Sequence, residues 1–66
     1  MKVQKGQIWM SKKVSGYTVH IIKVIKNECE VIFKIPTKSN LPLKQIKDIV
    51  KVEYIINNYT FERKRV

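Results

Sequence analysis

The run Tyr17-Thr18-Val19-His20-Ile21-Ile22-Lys23-Val24-Ile25-Lys26-Asn27-Glu28-Cys29-Glu30-Val31-Ile32-Phe33-Lys34-Ile35 decides the fold. It is dominated by valine and isoleucine, whose branched side chains pack well on a pleated surface. It predicts two strands, Tyr17 to Lys26 and Cys29 to Ile35, joined by a two-residue turn at Asn27-Glu28 and stopped by Pro36. In that register Val24 faces Val31, Ile22 faces Phe33 and His20 faces Ile35. One face of the hairpin is then apolar throughout: Ile22, Val24, Cys29, Val31, Phe33 and Ile35. The other mixes Val19, Ile21, Ile25 and Ile32 with Lys23, Glu30 and Lys34. Two arrangements use such a second face. Either a bent strand serves two sheets of a small barrel, or the face is an interface for another protein.

Outward from the hairpin the chain stays strand-rich. Gly6-Gln7 leads into a first strand at Ile8-Trp9-Met10, and Ser11 to Gly16 is a polar loop closed by a glycine. After the hairpin, Thr37-Lys38-Ser39-Asn40 reads as a loop. Leu41-Pro42-Leu43 opens a short helical turn, with Leu43, Ile46 and Ile49 or Val50 at helical spacing. Val50 to Ile56 reads as a strand, Asn57-Asn58 as a turn, and Tyr59 to Arg63 as a final strand. The sum is an all-β chain of about five strands with one short helical turn, a single domain over residues 1–66. At this length a small SH3-like barrel, or an OB-like one, is the economical architecture.

Charge points toward a partner. Fourteen lysines and arginines stand against five acids among 66 residues, a formal net charge of +9. Such a chain seeks polyanions, with nucleic acid foremost and an acidic protein surface as the rival. The cations fall into three groups: Lys12 and Lys13 in the first loop; Lys23, Lys34 and Lys38 on and beyond the hairpin; and Arg63, Lys64 and Arg65 at the end. Tyr17, after Gly16, and Tyr59, after the asparagine turn, are placed to stack on bases, as sequence-tolerant single-strand binders do. Trp9 and Phe33, set among aliphatic residues, read as core. These ten residues, Lys12, Lys13, Tyr17, Lys23, Lys34, Lys38, Tyr59, Arg63, Lys64 and Arg65, form the candidate nucleic-acid site. Val19, Ile21, Ile25 and Ile32 form the alternative protein interface.

Catalysis finds no foothold. His20 is the lone histidine, and the sequence shows no catalytic constellation for it to join. With Cys29 it makes too small a ligand set for zinc. Gly6 and Gly16 are too far apart for a phosphate loop, and the acids Glu28, Glu30, Asp48, Glu53 and Glu62 do not cluster. The chain reads as a non-enzyme without metal or cofactor. A lone cysteine, no signal-peptide-like run at the N-terminus and no apolar stretch of spanning length give the expectation of a cytoplasmic protein without a membrane role, monomeric or homodimeric.

The order Lys5-Gly6-Gln7-Ile8-Trp9, basic loop, long hairpin, then Leu41-Pro42-Leu43-Lys44 resembles small uncharacterised proteins encoded by phages and mobile elements of Gram-positive bacteria. The resemblance spans residue 5 to about residue 54. It implies an SH3-like barrel and a bacterial host cytoplasm, and it transfers no site residues. It also sets a second function beside nucleic-acid binding: an interaction protein that inhibits or redirects a host protein. The hairpin around Asn57-Asn58 departs from the shorter pattern.

Overall fold

The computed structural model describes residues 2–35 and 44–64. Five antiparallel strands, β1 (Gln7–Ser11), β2 (Thr18–Ile25), β3 (Glu28–Ile35), β4 (Lys44–Lys51) and β5 (Tyr59–Lys64), form one sheet in the order β4-β3-β2-β1-β5. A seven-residue helix, α1 (Val52–Asn58), links β4 to β5, the two edges of the sheet. The described residues are thus mostly β, with five strands and one short helix.

The β2–β3 hairpin exists, with its turn one residue earlier than expected. Lys26-Asn27 forms the turn, and Ile25 pairs with Glu28, Val24 with Cys29 and Lys23 with Glu30. Lys26 carries φ of 54° and is the single non-glycine residue with positive φ among the described residues. Positive φ at the first central residue alone is the pattern of a type II′ turn, which suits the twist of the flanking strands. Beyond Lys23 the register shifts. Ile21 pairs with Val31, His20 with Ile32 and Val19 with Phe33, so Ile22 is the extra residue of a β-bulge. The expected pairs of Val24 with Val31, Ile22 with Phe33 and His20 with Ile35 are therefore corrected. The bulge inverts the phase of β2: Val19 and Ile21 turn inward, while Ile22 and Ile25 are exposed. On β3 the expected inward set Cys29, Val31 and Phe33 is buried.

The second half departs further. From Lys44 onward the expected helical turn is strand β4, with Ile46 opposite Phe33, Asp48 opposite Val31 and Val50 opposite Cys29. The start of that turn, at 41–43, and the preceding loop lie outside the described residues. The helix comes later, where a strand was expected at 50–56. Val52, Ile55 and Tyr59 recur at helical spacing, and Ile55 is fully buried while Tyr54 and Ile56 are exposed. Such a short helix stands only by packing. The Val52 amide donates to the Asn27 carbonyl at 2.8 Å, which ties its start to the hairpin turn. Its end is closed by the Asn58 side-chain amide donating to the Tyr54 carbonyl at 2.9 Å, and by the Tyr59 amide donating to that of Ile55.

The core joins Val3, Trp9, Val19, Ile21, Cys29, Val31, Phe33, Ile55 and Tyr59. The Gln7 carboxamide is buried with them because its Oε1 accepts from the Trp9 indole at 3.0 Å and from the Gln4 amide at 2.7 Å. Burial pushes the Cys29 thiol up from its ordinary pKa, and Sγ donates to the Val50 carbonyl at 3.5 Å. Cys29 is a core residue.

Two mutations test this packing by urea unfolding. Ile55→Ala should lower stability by about 2–5 kcal/mol, and Ile56→Ala on the exposed side of α1 by no more than about 0.5 kcal/mol. Lys26→Gly should raise it by about 1 kcal/mol, because glycine lacks the Cβ that disfavours positive φ.

Candidate functional site: a cationic sheet face and a tyrosine groove

Strand pairing fixes which side chains share a face, since partners in an antiparallel ladder point the same way. One row crosses all five strands on the side opposite Trp9, Val19 and Val31: Arg63, Ile8, His20, Ile32 and Lys47, of which Ile8 is itself buried. The next row is Thr60, Met10, Thr18, Lys34 and Gln45. Beyond the bulge come Lys23, Glu30 and Ile49, then Ile25, Glu28 and Lys51. This outer face therefore gathers Lys23, Lys34, Lys47, Lys51 and Arg63 against two acids, Glu28 and Glu30. One of those acids is already engaged. Lys47 Nζ lies 2.7 Å from Glu30 Oε1, and this contact holds the Glu30 carboxyl below its usual range.

A second assembly sits at the end of β1. The Ser11 amide donates to the Tyr17 carbonyl at 2.8 Å and closes the β1–β2 loop, whose Gly16 has φ of 82°. Inside the loop, Ser11 Oγ accepts from the amides of Lys13 and Val14, both at 3.1 Å. The Lys12 amide donates to the Asn58 carbonyl at 3.1 Å, and Lys12 Nζ reaches the Asn57 carbonyl at 3.4 Å. The loop is thus docked on the end of α1. Between them lies a groove of about 200 Å³ lined by Lys13, Val14, Tyr17, Tyr54 and Tyr59, with Ser11 and Asn58. Tyr59 is the hub of its rings, with centroids 6.3 Å from Tyr17, 6.3 Å from Phe33 and 6.2 Å from Tyr54.

Ten residues were expected at a nucleic-acid site. Lys13 and Tyr17 come together in the groove lining, with Lys12 next to Lys13 on the loop, while Lys23 and Lys34 share the outer face. Arg63 and Lys64, both exposed, end β5, with Arg63 on that same face. Tyr59 is corrected: it is 5 % exposed and packs in the core, so it offers no free stacking surface. Lys38 and Arg65 lie outside the described residues. The alternative interface is divided. Val19 and Ile21 are buried in the core and withdrawn from any surface, Ile32 is half-buried, and Ile25 is 56 % exposed. Reading by sequence missed Lys47, Lys51 and Tyr54. The signal for Tyr54 was the helical spacing of Val52, Ile55 and Tyr59, which leaves Tyr54 on the open side of α1.

Among the described residues no three His, Cys, Asp or Glu side chains gather as a metal site, and no helix is long and apolar enough to cross a membrane. No protein-family model, curated protein or solved structure matches the chain.

The groove carries its own pH signature. Burial first, then the neighbouring Tyr54 and Tyr17 phenols, raise the Tyr59 pKa far above the ordinary tyrosine value. The unfolded chain ionises this phenol near about pH 10 and the folded one does not. The resulting stabilisation is complete below that pH and is lost as pH rises above it. Melting temperature should fall above about pH 10, and Tyr59→Phe should make that fall shallower.

Proposed function

We propose that this chain is a non-catalytic nucleic-acid-binding protein with an SH3-like small barrel, acting in the cytoplasm of a bacterial host. In this reading it contacts phosphates and has weak sequence preference. The barrel is supported by β1 lying between β2 and β5, with a helix between β4 and β5. It is also supported by two bulges, at Ile22 in β2 and at Glu62 in β5, that let the sheet bend. The phage-type setting rests on the sequence resemblance, and the cytoplasmic assignment on the free Cys29.

The observation that carries the binding function is the outer face: five cations on one side of one sheet, with two acids among them. Each phosphate neutralised releases counterions. Contact with about four phosphates of duplex DNA gives a log–log salt slope near about −3.5, or roughly a 100-fold loss of affinity over a fourfold rise in salt. Exposed isoleucines between the cations favour a second reading, an interaction protein for a host factor. Ile49 and Ile25 stand 64 % and 56 % exposed beside Lys23 and Glu28. There, lysines would steer encounter and isoleucines would supply burial.

A salt titration with labelled single-stranded DNA, duplex DNA and RNA separates the two. Nucleic-acid binding predicts micromolar or tighter affinity at about 150 mM salt, a steep slope, and its loss in the Lys23→Glu/Lys34→Glu double variant. Binding indifferent to salt, or to that charge reversal, would falsify it. The protein-partner reading predicts that Ile25→Asp or Ile49→Asp damages complex formation more than single lysine changes do.

A further inference from the structure

The tyrosine groove has a different chemistry from the outer face. Its floor is aromatic: Tyr59 is buried, and Tyr54 rests against it with a 56° tilt between rings while staying 46 % exposed. One lip is the β1–β2 loop with Lys12 and Lys13 side by side, both exposed. Of the chain's five acids, none lines the groove. The cavity therefore offers an accessible phenol ring, hydrogen-bonding groups of Ser11 and Asn58 at its edge, and positive charge alongside. These are the elements that hold one nucleotide of an unpaired strand. The ring stacks with a base, polar groups meet the base edge, and cations follow the phosphates. A duplex, with its bases already stacked, cannot use the ring.

We infer that the groove between the β1–β2 loop and α1 is a base-stacking subsite for single-stranded nucleic acid, with Tyr54 as the platform and Lys12 and Lys13 as phosphate contacts. The inference rests on the nucleic-acid reading and adds a preference to it. The outer face binds any phosphate backbone, and the groove favours the unpaired strand. Tyr54, absent from the sequence-based site, takes the part assigned there to Tyr59. Two anchorages hold the lip in place: Ser11 Oγ accepts from the Lys13 and Val14 amides and orders the loop, and the Lys12 amide donates to the Asn58 carbonyl and fixes it on the helix end.

The experiment is fluorescence polarisation with a labelled oligothymidine strand and a duplex of equal length, at one fixed salt concentration. It uses the wild type, Tyr54→Ala, Tyr54→Phe and Lys23→Glu/Lys34→Glu, each first shown folded by its melting curve. The wild type should bind the single strand more tightly than the duplex. Tyr54→Ala should weaken single-strand binding by about 5- to 150-fold and leave duplex binding unchanged, while Tyr54→Phe keeps the preference. Lys23→Glu/Lys34→Glu should weaken both ligands. Equal loss on both ligands in Tyr54→Ala, or no loss on either, overturns the groove assignment and leaves the outer face standing. If the wild type binds neither ligand, the underlying nucleic-acid reading fails. An extended glutamate-rich peptide serves as the competing probe. If it binds in a Tyr54-dependent way where the oligothymidine does not, the subsite is a peptide groove and the inference is overturned.

Discussion

Everything in this sheet turns on one extra residue, Ile22. A strand buries alternate side chains, and the apolar residues of β2, Val19, Ile21, Ile22, Val24 and Ile25, fall on both phases, so a straight strand would leave part of them in water. The bulge at Ile22 resolves this by shifting phase midway. Val19 and Ile21 point inward before it, and Val24 packs against the core after it. The chain's other elements close around that bend. The Gly6 amide donates to the Ile21 carbonyl at 2.9 Å, so the segment that brings Val3 into the core is anchored beside the bulge. With so few residues the margin for unspent apolar surface is small, and the bend is how a short chain covers its core from both sides.

The same bend sets the surface. Because the core takes Val19, Ile21, Cys29, Val31 and Phe33, the opposite side of the sheet is left to Lys23, Lys34, Lys47, Lys51 and Arg63 with a few isoleucines. A cationic face is therefore the complement of the core pattern as well as a consequence of composition. The groove arises differently. It exists because α1 brings Tyr54 up to the β1–β2 loop, and because Tyr59 joins the rings of Tyr17, Phe33 and Tyr54 into one cluster. The cationic face and the groove are thus separate features, the one turned away from the core and the other built on core tyrosines.

Sequence reading caught what β-propensity and turn chemistry control. The first strand, the hairpin, the final strand and the inward residues of β3 were legible because their alternation is regular. It missed what tertiary packing decides. The hairpin turn fell at Lys26-Asn27 because a bulge further along, invisible to a two-residue register rule, restored the apolar pairing. Lys44 to Val50 places Ile46 and Ile49 at a spacing that suits a helix, yet the edge of β3 offers a ladder, and the backbone bonds won. Val52 to Ile56 is β-branched and reads as strand, but one buried side chain, Ile55, and its fit against the core made a helical turn the better solution. Tyr59 followed that error. Read after a strand and a turn it looked exposed; placed after a helix it is in the core.

If the basic sheet face and the tyrosine groove both receive nucleic acid, each must respond separately to a bound strand. The most direct measurement is a residue-by-residue map of amide and side-chain NMR shifts as a short unlabelled single strand is added. Perturbations are expected at Lys23, Lys34, Lys47 and Arg63 on the outer face and at Lys13, Tyr17 and Tyr54 in the groove, with Ile56 unmoved. Shifts that spare all seven of those residues, or no shifts at all at millimolar strand, would contradict nucleic-acid binding at these sites.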